Sequence, residues 1–598
     1  MHKVHPYFFL INSRFQEKIV NKLSQHEQQQ LLELGIGLIQ HDESLSKKAH
    51  SYDNVKELLS YISFICSSDD ALSEQIIERF IVGKVPEENS PGPVMSQNKT
   101  ITRRKATRKT RSKIPGLAIN PDNQQTEIIN HCHQGIQVDA FAGAGKSTVS
   151  KLMIDELGNN KTLYTAFLRE NITEAKLRIT EQAYTQDALA HRYALKYAPF
   201  KSIFNNKHAP DPYSLQHIVG FDASLDLGRN KVKLHTVARL ITQTISRFCT
   251  STDLQLAEVH LPVAIFSPVA RKKVLAWATS YWDYLTSGRA TLEQGATYEH
   301  LMKYWSLTAS ITLPDDYENI IVDEAQDISG AFFNVLRNHT DRNIVIVGDT
   351  YQQLFKWRGA VNSMGLFDKP RFPLTTSYRF GEAIGDCSNR VLARHSQPPQ
   401  HLLCGQQNLR SQVIFYDESQ NLPDMTGAIL TRTRSQIIFI ADNELRAGHK
   451  IHIKTEINAL KFIINNIICL SRGELDKITH PYILKCPNVA FLESDLIDNP
   501  EPDIYFAWKL FKKYGAHTSD VIDKIAQNNY PVEQAVKVIS TTHAIKGQEW
   551  DNIVIAPDYA VVLDNPNADI DSELSVLYVA ITRAKHRVFI PESLKNYF

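Results

Sequence analysis

A stretch near residue 140 constrains the fold of this chain more than any other feature: Asp139-Ala140-Phe141-Ala142-Gly143-Ala144-Gly145-Lys146-Ser147-Thr148. It follows a short apolar segment, Ile136-Gln137-Val138, and runs into Val149-Ser150-Lys151-Leu152-Met153-Ile154, which reads as the start of a helix. Small residues between a strand and a helix let backbone N–H groups wrap a polyphosphate at the helix N-terminus. The spacing predicts that Ala142 to Thr148 form this cradle, with Lys146 neutralising the outer phosphates and the Ser147 hydroxyl holding Mg²⁺. The usual phosphate-loop pattern has glycine at the position of Ala140, so the loop alone does not decide the matter.

A second feature, almost two hundred residues on, decides it. Tyr317-Glu318-Asn319-Ile320-Ile321-Val322-Asp323-Glu324-Ala325-Gln326-Asp327 reads as a buried strand ending in adjacent carboxylates. Open α/β sheets place their chemistry at such strand ends. Asp323 suits a hold on Mg²⁺, and Glu324 suits polarising the water that attacks a γ-phosphate. A further apolar strand ends in Gly348-Asp349. Together these predict nucleoside triphosphate hydrolysis.

With 598 residues, about four domains of ordinary size are expected. No apolar run reaches the roughly 18–20 residues that span a bilayer, and the start lacks the layout of a secretory signal, so no membrane association is expected. The seven cysteines have no paired CxxC spacing, which argues against a structural zinc or iron–sulfur site and for a reducing compartment. The net charge is only +1, so any contact with nucleic acid must be local. One local concentration exists, from Lys99 to Lys113, behind a Pro/Gly/Ser-containing stretch. Residues 85–116 are therefore expected to be a basic flexible linker, which serves equally as a phosphate-attracting arm or a solubilising tether. Residues 1–84 are expected to be a small helical unit whose role the sequence does not give.

Further motifs follow in order: Gly348-Asp349-Thr350-Tyr351-Gln352-Gln353-Leu354-Phe355-Lys356-Trp357-Arg358-Gly359, then Thr375-Thr376-Ser377-Tyr378-Arg379-Phe380, then Gly427-Ala428-Ile429-Leu430-Thr431-Arg432-Thr433. Near the end come Ser540-Thr541-Thr542-His543-Ala544-Ile545-Lys546-Gly547-Gln548-Glu549-Trp550 and Glu573-Leu574-Ser575-Val576-Leu577-Tyr578-Val579-Ala580-Ile581-Thr582-Arg583-Ala584-Lys585. In this order the series resembles superfamily 1 DNA helicases of the UvrD/Rep type. It is most similar to the F-box DNA helicase family, through Ala140 to Gly143, Thr376 to Gly381, Ile245 to Thr250 with His260-Leu261-Pro262, and Met302 to Leu307. The resemblance covers roughly residues 117–592. No F-box pattern is found in the first ninety-odd residues, so ubiquitin-ligase recruitment is not carried over.

The resemblance implies an α/β fold of two RecA-like P-loop domains with helical insertions, beside the small helical N-terminal unit. The first core would span 117–372 with an insertion at about 195–310. The second would span 373–598 with an insertion at about 457–530, shorter than its counterpart in UvrD and Rep. ATP and Mg²⁺ are the implied cofactors. Gln352 would sense the γ-phosphate, and Arg379 and Arg583 would stabilise charge on the transferred group. Tyr378 would stack on adenine and Glu549 would touch the ribose. A glutamine reads the adenine edge in this family; Gln124 and Gln125 are both candidates, with Gln125 preferred because Ile128-Ile129 then falls on the family's apolar pair.

Single-stranded DNA would be tracked by Phe167, Thr185, Trp357, Arg358, Thr541 and His543. The family's Thr-x-His-Ser is here Thr185-Gln186-Asp187-Ala188, with an acid in place of the histidine. The implied activity is ATP-dependent unwinding or translocation along single-stranded DNA, 3′ to 5′, in repair, recombination control or defence. The alternatives are a translocase that strips proteins and an ATP-gated DNA-recognition subunit acting with a partner nuclease, reached through residues 1–84. The implied location is the cytoplasm and nucleoid in a bacterium or the nucleus in a eukaryote.

Overall fold

A computed structural model describes residues 120–598, apart from 205–209, 228–230, 263–264, 266, 291–294, 355, 357–360, 421, 455–457, 499–500 and 567. The N-terminal unit at 1–84, the whole basic linker at 85–116, and Trp357 and Arg358 lie outside the described residues.

Two six-stranded sheets organise the described chain. The first contains β1 (Gln137–Ala140), β2 (Thr162–Ala166), β3 (Ala183–Thr185), β6 (Asn319–Val322), β7 (Asn343–Gly348) and β8 (Arg371–Leu374), in the order β3-β2-β6-β7-β1-β8. Every pairing in it is parallel. Parallel strands carry helices on both faces, so each strand reads as a continuous apolar run. In β6 the side chains alternate accordingly: Ile320 and Val322 enter one core with Leu163, Ile344 and Ile346, while Ile321 enters the other with Val138, Tyr164 and Val347. The second core is closed by the helices Asn123–His131 and Lys146–Leu157, through Ile128, Val149 and Met153.

The first core is closed by the insertion between β3 and β6. It holds a small antiparallel hairpin of β4 (Ser224–Asp226) and β5 (Lys231–Lys233), and the helices Leu234–Thr250, Pro268–Thr286 and Tyr298–Leu307. Phe248, Tyr281 and Trp305 from these helices are buried there.

The second sheet contains β9 (Gln412–Tyr416), β10 (Gly427–Thr431), β11 (Ile451–Ile453), β12 (Lys537–Thr541), β13 (Trp550–Ile555) and β14 (Ala584–Pro591), in the order β11-β12-β10-β13-β14-β9, again all parallel. Between β11 and β12 lies a helical stretch that includes Asn458–Ser471, Pro502–Tyr514 and Thr518–Gln527. It buries Ile464, Leu510 and Ile522 against Ile429, Ile539 and Val554 of the sheet. The architecture is thus mixed α/β with two parallel sheets, consistent with RecA-like helicase domains. Among the described residues no helix is long and apolar enough to cross a membrane.

Candidate nucleotide site and nucleic-acid groove

The C-terminal ends of β1 and β6 meet residues from the second half of the chain around a cavity of about 460 Å³. Gly143 to Ser147 form one wall, with Asp323, Glu324 and Gln352 beside them and Arg379, Lys546, Glu549 and Arg583 opposite. The phosphate loop needs its glycines. Gly143 (φ 73°) and Gly145 (φ 81°) are left-handed, and Gly145 caps the helix Lys146–Leu157. A Cβ on Gly143 would lie 2.5 Å from Ser377 Oγ and 2.8 Å from Arg379 Cβ. Close approach of the loop to the arginine segment therefore depends on a missing side chain. Ala142 differs from the cradle expected of it: it is buried, and its amide donates to Tyr578 Oη at 3.0 Å. Thr148 also lies off the cavity wall that Gly143 to Ser147 make.

At the end of β6 the two carboxylates adopt different states. Asp323 Oδ2 accepts from Tyr164 Oη at 2.5 Å, and its Oδ1 accepts from the amide of Glu324 at 2.9 Å. Burial and the neighbouring Glu324 charge push the Asp323 carboxyl up to about 6. Glu324 moves the other way: against the cost of burial, Lys146 at 3.5 Å and Lys546 at 3.4 Å hold it well below the usual carboxylate range. Glu324 is the only described non-glycine residue with positive φ, 51°. Such a conformation costs about 1–3 kcal/mol and persists where its surroundings enforce it. Here Gln326 Nε2 donates to Glu324 Oε2 at 2.5 Å and both lysines pull on the carboxylate.

The Gln352 side of the cavity is wired to the second half of the chain. Gln352 Nε2 donates to Asp349 Oδ2 at 2.7 Å, while Gln352 Oε1 accepts from Arg583 Nη2 at 3.2 Å. Tyr578 Oη donates to the same Asp349 oxygen at 3.0 Å. Burial, and then repulsion from Arg379, lower Arg583 to about 9, which leaves it a cation at neutral pH. Arg379 donates through Nε to Glu549 Oε1 at 2.7 Å and through Nη1 to the Thr582 carbonyl at 2.7 Å. Lys546 forms an ion pair with Asp327 and donates to the Gln352 carbonyl at 2.8 Å.

The two candidate glutamines make different contacts. Gln124 is held by Thr375, donating to its hydroxyl at 3.1 Å and accepting from its amide at 3.0 Å. Gln125 Nε2 lies 3.2 Å from where a Gly145 Cβ would be, and the Tyr378 ring lies 3.7 Å from the same point. Gln125 and Tyr378 thus flank the phosphate loop together, and Tyr378 Oη donates to Asp122 at 2.5 Å.

Ser147, Asp323 and Glu324 are hard oxygen donors beside one another, of the kind Mg²⁺ takes together with substrate phosphates. The raised Asp323 carboxyl marks negative charge that a divalent cation would offset. Among the described residues no group of three or more His, Cys, Asp or Glu could hold a metal by itself, so phosphate oxygens would have to complete such a site.

Sequence reasoning passed over Lys546, Tyr578 and Tyr164. The first two stand inside motif stretches quoted above and could have been singled out as a buried cation and a polar aromatic. Tyr164 stands in an apolar strand and gives no signal.

The expected nucleic-acid contacts that are described lie elsewhere. Phe167, half-buried, follows β2 and lines a second cavity of about 940 Å³. Thr185 ends β3, and its Oγ1 accepts from the Ala188 amide at 3.1 Å, capping the short helix Gln186–Leu189. Thr541 ends β12, largely buried, and His543 follows in the turn Thr542–Ile545 that leads to Lys546.

Comparison with known proteins follows this geometry. Residues 296–373 match the model of the UvrD/REP helicase N-terminal domain, and residues 538–590 match that of the UvrD-like helicase C-terminal domain. The chain is 24% identical over 504 residues to F-box DNA helicase protein 1 of Schizosaccharomyces pombe, covering 77% of this chain and 56% of the relative. It is 24% identical over 524 residues to F-box DNA helicase 1 of Gallus gallus, covering 79% and 49%. It is 23% identical over 528 residues to the Gabija protein GajB of Bacillus cereus, covering 77% and 94%. The chain therefore spans about half the length of the two F-box relatives and nearly the full length of GajB.

Proposed function

We propose, from the premise that this chain carries both UvrD-like helicase domains of superfamily 1, that it is an ATP-dependent DNA helicase or translocase moving on single-stranded DNA. One observation carries the reading: Lys146, Asp323, Glu324 and Gln352 from the first sheet share a cavity with Arg379 and Arg583 from the second half. Lys146 neutralises the outer phosphates. Ser147 and Asp323 hold Mg²⁺, which supplies charge neutralisation to the phosphates. Glu324, kept ionised by its two lysines, takes the proton of the attacking water. Arg379 and Arg583 meet the charge that develops on the transferred group, and Gln352 ties Arg583 to the γ-phosphate end. Gln125 and Tyr378 hold the base, and Glu549 orders the ribose side while positioning Arg379.

Because the arginines and the carboxylates come from different halves, hydrolysis is linked to closure of the cleft. That closure acts on DNA through Phe167, Thr185, Thr541 and His543; for Trp357 and Arg358, outside the described residues, the same role rests on the resemblance alone. Aromatic faces that stack bases, about 1–3 kcal/mol each, hold a strand without regard to sequence. The 3′ to 5′ direction rests on the resemblance to UvrD and Rep, and the pathway reading is repair, recombination control or defence.

The test is ATP hydrolysis with and without single-stranded DNA, wild type beside Glu324→Gln. DNA-stimulated turnover in the wild type, lost in the variant, supports the reading, and tailed duplexes of each polarity then give direction. Turnover indifferent to DNA overturns it.

A further inference from the structure

The 940 Å³ groove beside Phe167 has a chemistry that a phosphate track does not need. Stretches 245–250, 260–262 and 302–307, singled out in the sequence without a role, converge on it from the first insertion. Three carboxylates line it: Asp253, whose Oδ2 lies 2.9 Å from His260 Nε2, together with Asp187 after β3 and Glu299 at the start of the helix Tyr298–Leu307, both reached by solvent. Neither Asp187 nor Glu299 pairs with a described cation; Glu299 Oε2 accepts only a hydroxyl, from Ser246 at 2.7 Å. The enclosing protein, and then repulsion from Glu299, push Asp187 up to about 6.

The groove's cations are engaged elsewhere, Arg247 on the Leu261 carbonyl at 2.8 Å and Lys356 on Asp569 at 2.5 Å. A phosphodiester in this space would meet negative charge. A base edge rich in N–H donors would not.

A second, independent feature points the same way. Gln186, adjacent to Asp187 and only 4% exposed, forms part of the groove wall. Its Oε1 accepts from the Ser329 hydroxyl at 3.3 Å, but its Nε2 has no hydrogen-bond partner. An amide donor buried without a partner is destabilising, and a ligand acceptor would recover that cost.

We infer that this groove reads an unstacked guanine of the bound single strand. A carboxylate of the Asp187–Glu299 pair accepts the N1–H and N2–H donors of the base, Gln186 Nε2 donates to O6, and the Phe167 and Tyr298 rings pack its faces. Guanine is the base whose edge sets two adjacent donors beside an acceptor. Adenine and cytosine would turn a lone pair toward the carboxylate, and thymine has no amine. The inference rests on the reading of the chain as a single-strand binder, and gives that otherwise sequence-tolerant track one point of preference.

Equilibrium binding by fluorescence anisotropy tests it, with thymine oligonucleotides of about 16 nucleotides that carry at the centre guanine, hypoxanthine (which lacks the N2 amine) or thymine. The wild type is expected to bind the guanine strand about fivefold or more tighter than the thymine strand, with hypoxanthine between. Asp187→Ala/Glu299→Ala should bring the ratio to about one without weakening thymine-strand binding. Equal binding of the guanine and thymine strands by the wild type, or a preference that survives the double substitution, overturns the inference alone. Failure to bind any of the strands overturns the proposed function and the inference with it.

Discussion

At the scale of single residues, the site sets two adjacent carboxylates in opposite states. Glu324 is held ionised by Lys146 and Lys546, whereas Asp323 is buried next to that charge with only a tyrosine hydroxyl and an amide as donors. Lys146→Ala should reduce ATP turnover by at least about a hundredfold, an effect of the size seen when a charge-stabilising donor is removed. Circular dichroism and thermal melting should show the fold retained; substantial residual ATPase would contradict the assignment.

The Asp323 shift carries a pH prediction. An unfolded aspartate ionises near 3.8, but the folded one keeps its proton up to about 6. The native state therefore binds more protons between these values, and this group's contribution to stability declines as pH rises through them. Mg²⁺ with ATP should offset that loss, so their stabilisation of the protein, read as a rise in Tm, should be larger at about pH 7.5 than at about pH 5. Turnover at limiting Mg²⁺ should fall as pH drops through about 6, and added Mg²⁺ should move that fall to lower pH, because metal and proton compete for the carboxylate. A flat stabilisation across that range would count against Asp323 as a metal-holding residue. Residue identities here were legible wherever chemistry is contiguous in the chain, as in Gly143 to Ser147 and Asp323-Glu324. Between Gln124 and Gln125 the residues themselves do not choose, because both side chains are the same; the preference for Gln125 comes from the resemblance, and their different contacts appear only in the structure.

At the scale of elements, the phosphate loop is a turn whose shape is fixed by two left-handed glycines and by the distant segment that carries Ser377 and Arg379. Gly143→Ala should cost about 1–2 kcal/mol from the backbone conformation alone. The added methyl also drives against Ser377 and Arg379, so hydrolysis should suffer more than stability does. Measuring Tm and kcat together checks this: a fall in Tm with kcat intact would mean that the loop and arginine segment part without consequence. The strands themselves were readable from their apolar runs. That the Thr185 hydroxyl caps a helix of four residues was not, since the same residue type serves caps and phosphate contacts alike.

At the scale of the whole molecule, the two parallel sheets and their intervening cavity lie within the compact unit Pro115–Phe598. Removal of residues 1–113 should leave ATP hydrolysis and its response to DNA within about twofold of the full chain, since every residue of the cavity lies beyond them. Loss of DNA stimulation on truncation would assign the basic stretch a part in strand capture.

By itself the sequence determined the fold class, the order of the motifs and the identity of the phosphate loop and acidic strand end. These are local patterns: a strand, a turn and a helix declare themselves through neighbouring residues. Only the tertiary structure decided that Lys546 grips Glu324 and Asp327, that Tyr578 occupies the Ala142 amide, and that Gln186, Asp187 and Glu299 share one groove. Those relations join residues dozens to hundreds of positions apart, and whether a buried charge is neutralised or left wanting depends on what packs against it, which no local pattern encodes.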